Sequence, residues 1–170
     1  MKLKTTAQMK SSGEAMVFQM EEDWAEMEYG GRTVTFASPL RIKGSCVFDG
    51  EGFTVKGRAD TLLSSECAKC TKTFNESFSF PFEERFEREG SEDDGIYAYQ
   101  GDELDLETMI RDNILLNLPI SSVCSEDCKG LCPVCGCDRN IVQCDCVIAE
   151  EENENPLSAL RVLLNEDKEV

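Results

Sequence analysis

The sequence predicts an α+β fold: an antiparallel β meander or open barrel packed with one main helix, then a cysteine-rich C-terminal module and a short terminal helix. Three observations predict it. Apolar residues alternate with period 2 through much of residues 15–86, a 3.6-period stripe follows at 106–118, and seven of the ten cysteines fall between positions 124 and 146. The expected division is 1–119 for the β region with its helix, 120–149 for the cysteine-rich module, and 150–170 for an acidic linker and the last helix.

Ala15–Met20 and Arg32–Ala37 are short strand candidates. Leu40–Phe48 alternates apolar and polar, the turn Asp49-Gly50-Glu51-Gly52 follows, and Phe53–Ala59 alternates again, which reads as a hairpin. From Thr73 the pattern strengthens: Phe74, Phe78, Phe80, Phe82 and Phe86 share one parity and give a long strand an aromatic face. Pro81 has the opposite parity and cannot donate to a ladder, so it predicts a sheet edge or a bulge. Residues 89–103 read as an acidic loop around one short strand at Ile96–Gln100. Asp105 is then the expected helix N-cap, with Glu107 favourable in the first turn. Leu106, Met109, Ile110, Ile114 and Leu118 form the buried stripe, and Pro119 stops the helix because the residue before proline avoids the α region. After the cysteines, Glu150–Asn155 is a solvated linker, and Asn155-Pro156 opens the last helix through Leu157, Leu160, Leu163 and Leu164.

Composition excludes several chemistries. With no histidine, Ser–His–Asp or Cys–His catalysis and mixed Cys/His zinc fingers are ruled out. No nucleophile–base pair or phosphate-binding glycine loop stands out, so no enzyme is predicted and no small-molecule substrate. The formal net charge is −17, and it is uneven: residues 1–88 hold 14 acidic and 12 basic side chains, residues 89–170 hold 20 and 5. Such a surface repels phosphate, so direct RNA binding is expected to be weak or indirect, and a basic partner is favoured. The N-terminus has no apolar signal core, and no stretch approaches the roughly 20 apolar residues of a membrane span. The expected location is cytoplasmic, where thiols stay reduced.

Ten reduced cysteines need an explanation, and metal is the first. Leu131-Cys132-Pro133-Val134-Cys135-Gly136 has the form of a zinc knuckle: two intervening residues let both sulfurs reach one ion, and Gly136 frees the turn. Cys67-Ala68-Lys69-Cys70 repeats the spacing at a turn between strands. Cys46 shares parity with Leu40, Ile42 and Phe48 and reads as a small buried hydrophobe. Cys137 is badly placed to join its own knuckle. Eight thiols remain: Cys67, Cys70, Cys124, Cys128, Cys132, Cys135, Cys144 and Cys146, enough for two four-cysteine zinc sites. One grouping joins Cys67 and Cys70 to Cys124 and Cys128, and Cys132 and Cys135 to Cys144 and Cys146. Swapping the local pairs, or one site with spare thiols, fits the spacing too. Each four-thiolate zinc unit would add about −2 of charge.

Other cysteine chemistries fit less well. Exported disulfides lack a signal segment, and a thioredoxin-like CxxC belongs at a strand-to-helix junction, whereas Cys67–Cys70 leads into the phenylalanine strand. An iron–sulfur cluster is disfavoured by the Cys-Pro-x-Cys-Gly knuckle. A nucleic-acid-binding zinc ribbon lacks a basic patch with interleaved aromatics.

The order of these features resembles one family. A Cys-x-[Arg/Lys]-Cys pair, a Phe-rich strand, an acidic stretch, the helix from Asp105 to Pro119, then Cys124-Ser-Glu-Asp-Cys128-Lys-Gly-Leu-Cys132-Pro-Val-Cys135-Gly136 with Asn140, Cys144 and Cys146 resemble the YceD-like family, the large ribosomal RNA subunit accumulation proteins. The resemblance spans about residues 40–165. It departs at Lys69, where arginine is common, and at Cys137, where a polar residue is usual. It implies a non-enzymatic ribosome biogenesis factor supporting accumulation or processing of large-subunit ribosomal RNA. Joined to the charge argument, it predicts a zinc-stapled protein whose partner is a basic large-subunit ribosomal protein or a preribosomal particle. The alternative is a redox-sensing zinc protein or thiol-switch holdase.

Overall fold

The structure, a computed structural model, describes residues 1–5, 13–89 and 95–147. The linker and final helix expected at 150–170 lie outside the described residues. The chain forms two compact units, Met1–Cys128 and Lys129–Val170. Residues 120–128, grouped by sequence with the cysteine-rich module, therefore belong to the first unit.

The first unit is mostly antiparallel sheet with one helix. Its strands are β1 (Lys2–Lys4), β2 (Met16–Glu22), β3 (Glu26–Tyr29), β4 (Arg32–Phe36), β5 (Leu40–Phe48), β6 (Phe53–Glu66), β7 (Thr73–Glu87), β8 (Ile96–Ala98) and β9 (Glu103–Asp105), followed by α1 (Glu107–Asn117). β6 is the spine. Along one edge it pairs with β7 in unbroken register from Phe53↔Phe86 to Glu66↔Thr73. Its other edge is shared, β5 taking Phe53–Asp60 and β4 taking Leu63–Ser64. The hairpin read from the sequence is thus present, with a second strand seven residues longer than the alternation that ends at Ala59. β1 and β9 form a separate two-stranded ladder.

Pro81 sits opposite Arg58 without interrupting the register, so no bulge forms; among the described residues, the outer side of β7 is paired at Arg85–Glu87, by β8, and Pro81 lies on the unpaired edge. The β7·β8 pairing is parallel, against the antiparallel expectation. Aromatic contacts flank it: Tyr97 meets Phe86 at 5.3 Å with the rings tilted by 30°, and Tyr99, just past β8, meets Phe53 edge-on at 5.2 Å.

Two glycines face each other across β5 and β6, Gly44 opposite Gly57. A Cβ on Gly57 would run into the Lys43 carbonyl and lie 2.8 Å from the Phe82 ring, and one on Gly44 would lie 2.9 Å from Phe18. The missing side chains let aromatic rings from β2 and β7 lie directly against the backbone.

The phenylalanine parity holds. Phe78, Phe80, Phe82 and Phe86 are buried with Phe53, Val55, Leu40 and Ile42. The helix lays Leu106, Met109, Ile110 and Ile114 on this core, each worth about 1.5–3 kcal/mol of burial. Asn113 on the same face is satisfied, its Nδ2 donating to Glu84 on β7 at 2.8 Å and to the Met109 carbonyl at 3.0 Å. The N-cap residue is Leu106 and not Asp105 as expected. Asp105 is held in β9, from where its carboxylate accepts the Glu107 amide at 3.0 Å. Among the described residues, no helix is long and apolar enough to cross a membrane.

Candidate metal centres

The structure gathers the eight thiols into two sets of four. Cys67, Cys70, Cys124 and Cys128 form one, and Cys132, Cys135, Cys144 and Cys146 the other, all sulfurs within a set lying within 4.8 Å of one another. Each set lies inside one compact unit. Of the groupings that the spacing left open, this one forms.

The first set is built where β6 turns into β7. The Cys67 amide donates to the Lys72 carbonyl at 2.9 Å, and the Thr71 amide donates to the Cys67 carbonyl at 2.9 Å. Thr71 carries φ 60°, and among the described residues it is the non-glycine with positive φ. A β-branched residue in this region costs on the order of 1–2 kcal/mol. Its hydroxyl donates to the Cys70 carbonyl at 2.8 Å, which helps to hold it there. The segment after the helix brings the second pair of thiols: the Ala68 amide donates to the Ser122 carbonyl at 2.9 Å. Glu76 on β7 anchors both sides, accepting hydroxyl bonds from Ser65 and Ser122 at 2.5 Å each.

The resulting sulfurs are spaced for a tetrahedral ion. Cys67 Sγ lies 3.8 Å from Cys128 Sγ, and Cys70 Sγ lies 3.7 Å from Cys124 Sγ. Four sulfurs at about 2.3 Å from one metal stand about 3.8 Å apart, whereas a disulfide needs about 2.05 Å. Cys67, Cys70 and Cys128 are buried together, packed by Phe74 and Cys124. Phe74, first of the phenylalanine series, thus serves this cluster, unlike its four successors in the main core.

The second set repeats the turn bond for bond. The Cys132 amide donates to the Cys137 carbonyl at 2.8 Å, and the Gly136 amide donates to the Cys132 carbonyl at 2.8 Å. Gly136 takes φ 72°, the place Thr71 holds in the first turn. Around it, Leu131 bridges Asp138, the Arg139 amide donates to the Gly130 carbonyl at 3.0 Å, and Asn140 Oδ1 accepts the Lys129 amide at 2.8 Å. The Asp138 carbonyl then accepts the amides of Ile141 and Val142 at 3.0 and 2.9 Å, turning the chain toward Cys144. This set is open: Cys132 is buried, Cys144 and Cys146 are half-buried, and Cys135 is exposed.

Backbone amides activate the leading thiol of each turn. The Cys67 thiol is pulled down to about 6, first by the Cys124 amide and then by those of Cys70 and Lys69. The Cys132 thiol is likewise pulled down to about 6 by the amides of Cys135 and Val134. Hydrogen bonds to sulfur favour the thiolate, which is the form that ligates metal. By donor set and spacing, both sets fit a soft metal ion with four sulfur ligands. Cys46 behaves differently. It is 1% exposed in β5, and burial pushes its thiol up to about 11, as a small hydrophobe requires.

A family model described as the large ribosomal RNA subunit accumulation protein YceD matches residues 55–164. The chain belongs to the YceD family. The matched span opens at the start of β6 and contains both thiol sets, while β1–β5 lie before it. The chain is similar to the uncharacterized protein YlbN of Bacillus subtilis, 31% identical over 148 residues and 78% of each chain. An uncharacterized protein of Mycobacterium tuberculosis is 35% identical over 94 residues, 51% of this chain and 44% of the relative. The chloroplastic large ribosomal RNA subunit accumulation protein YCED homolog 1 of Arabidopsis thaliana is 38% identical over 60 residues, 35% of this chain and 19% of the relative. The chain spans about half the length of the mycobacterial relatives it matches. No solved structure matches it.

Two features of the sites escaped the sequence reading. The left-handed Thr71 carries no local signal, because threonine is rarely placed there. Asn140 stood out only through the family resemblance, and its role as acceptor for the Lys129 amide needed the fold.

Proposed function

We propose that this YceD protein is a non-enzymatic factor for large-subunit ribosomal RNA accumulation, held together by two structural zinc ions. One ion sits among Cys67, Cys70, Cys124 and Cys128, the other among Cys132, Cys135, Cys144 and Cys146. The observation that carries the zinc reading is the repeated turn: two segments alike only in the spacing of their paired cysteines adopt the same hydrogen bonds around those thiols. In such sites zinc supplies structural cross-linking, and this chain's contribution is to bring four sulfurs together, with backbone amides favouring the thiolate at the leading Cys67 and Cys132.

The rRNA role is supported by family membership and by the name carried by the plant relatives. The mode of action follows from charge. With formal net charge −17, lowered further by two four-thiolate zinc units, the surface suits a lysine-rich large-subunit ribosomal protein or a preribosomal particle bound through its proteins. RNA phosphates would be repelled. The reading places the protein in a reducing compartment, where ten thiols persist without disulfides.

Affinity purification of the tagged protein from growing cells, with mass spectrometry and metal analysis of the eluate, tests it. The expected result is two zinc equivalents, co-purifying basic large-subunit proteins, and a complex that weakens as salt rises. Tight binding to bare RNA fragments with none to such proteins would reverse the assignment.

A further inference from the structure

β4 pairs with β6 at Thr35↔Ser64 and Phe36↔Leu63, and the ladder stops there. Beyond that point, among the described residues, neither strand has a partner on this side: Thr33 and Val34 keep β3 as their neighbour, and Ser65 and Glu66 keep β7. The space between them is a groove of about 770 Å³. Its third wall is the end of α1 and the chain just after it, from Leu115 to Ser122, and every lining residue belongs to the first unit.

The walls are apolar and fixed. Tyr29, Val34, Leu118 and Ile120 line the groove, Ile120 being 93% exposed, and Leu116 beside its lining is 81% exposed. Single exposed apolar residues are ordinary, but several gathered around one groove mark an interaction site. Few polar side chains are left to orient a small polar ligand, since the hydroxyls of Ser65 and Ser122 already donate to Glu76. The Cys67–Cys70 turn supplies Ala68 to one wall, and the segment leading to Cys124 supplies Ser122 to another. The Ala68 amide, donating to the Ser122 carbonyl at 2.9 Å, joins the two walls beside the first thiol set. A groove built in this way is preformed, so a ligand orders little of the protein on binding.

We propose that this groove docks an extended segment of the basic large-subunit partner, taking a large apolar side chain against Val34, Leu118 and Ile120 and setting a lysine or arginine beside Glu66. The inference rests on the partner reading above and gives that partner a docking place. An extended segment fits because the unpaired edges of β4 and β6 offer main-chain donors and acceptors. Charge selects which segment. Glu66 is the one charged residue that lines the groove, exposed Glu28 stands opposite Thr33 on β3, and the chain's formal net charge is −17. A cation is therefore favoured at the groove and steered toward it.

The test uses the zinc-loaded full chain, with the total protein extracted from salt-washed large ribosomal subunits as the probe. A photo-cross-linking benzoylphenylalanine replaces Ile120 in one sample and Val17, 81% exposed on β2, in another. The expected result is a cross-link to a basic large-subunit protein from position 120 and none from position 17. Mass spectrometry should map it to a peptide in which a large apolar residue adjoins lysine or arginine. Ile120→Asp should weaken binding at least tenfold, and Glu66→Lys several-fold with a shallower salt dependence, while Val17→Asp binds as wild type does. All three side chains are exposed, so zinc content and the unfolding midpoint should stay at wild-type values, which separates lost docking from lost folding. Wild-type affinity in Ile120→Asp or Glu66→Lys, equal cross-linking from both positions, or a cross-link to RNA or to a second copy of this chain would overturn the proposal. If the unsubstituted chain binds no basic large-subunit protein at all, the partner reading itself is refuted, and this inference with it.

Discussion

In the first cluster, Cys70 meets Cys124 across 54 residues and Cys67 meets Cys128 across 61, whereas the second cluster takes all its thiols from positions 132–146. The first is buried beside Phe74 and fastened to the sheet through Glu76; the second is largely solvent-facing. The same turn thus serves two purposes. A metal in the second cluster organises a short segment with little apolar core of its own. A metal in the first closes a long loop and binds the post-helix segment to the end of β6, in a unit whose sheet already has a core. Closing the longer loop removes more disorder from the unfolded chain, by a slowly growing logarithmic amount.

Metal removal is the strongest way to test the contrast. Structural zinc contributes roughly 10–16 kcal/mol in small modules. A strong chelator should therefore abolish amide protection at 129–147 in hydrogen exchange while the β6·β7 ladder stays protected. A far-UV circular dichroism spectrum and exchange pattern both unchanged by chelation would break the comparison.

The next effect runs through the sheet. Gly57→Ala forces a Cβ against the Lys43 carbonyl and the Phe82 ring. It should destabilise the first unit by about 3 kcal/mol, measured by denaturant unfolding. The zinc of the second cluster should stay bound in this variant, because that site lies in the other unit.

A smaller pair of changes sharpens the likeness of the two turns. Gly136→Thr should cost on the order of 1–2 kcal/mol, from placing a side chain at positive φ. Thr71→Gly relieves the same strain while adding freedom to the unfolded chain, so its net effect should lie within about 1 kcal/mol of zero. Zinc affinity and thermal unfolding of both variants report the difference.

The smallest effect lies at the β5–β6 turn, at the opposite end of β6 from the first cluster. Asp49 accepts the Glu51 and Gly52 amides at 3.0 Å each and a bond from Arg85 at 2.6 Å. The Arg85 hydrogen bond, followed by these amides, holds its carboxyl well below the usual carboxylate range. A depressed folded-state pKa contributes stability above the ordinary carboxylate value, which is lost as pH falls below it. Asp49→Asn should lower the melting temperature slightly at pH 7, and the gap to wild type should narrow as pH falls. A constant gap across that range would show that the carboxylate charge is irrelevant.

Much of the molecule was legible from local pattern alone. The parity of Phe78 to Phe86 is a strand's own period, the stripe from Leu106 to Ile114 is a helix's, and paired cysteines two apart suit one ion whatever surrounds them. Parity likewise marked Cys46 as core. Local pattern was silent where an interaction is weak in sequence but strong in space. The three-residue strands β1 and β9 exist because they pair with each other, and the parallel course of β8 beside β7 is a long-range pairing that no local pattern announces.

The sequence by itself determined which thiols are alike, which strands alternate and where the helix stops. It also determined that the charge is strongly negative, since each of these is a property of near neighbours or of a sum. Only the tertiary structure decided which pair of thiols meets which. That choice depends on β6 and β7 carrying Cys67 and Cys70 to the place where the chain beyond Pro119 arrives, a coincidence of distant segments that no local spacing encodes.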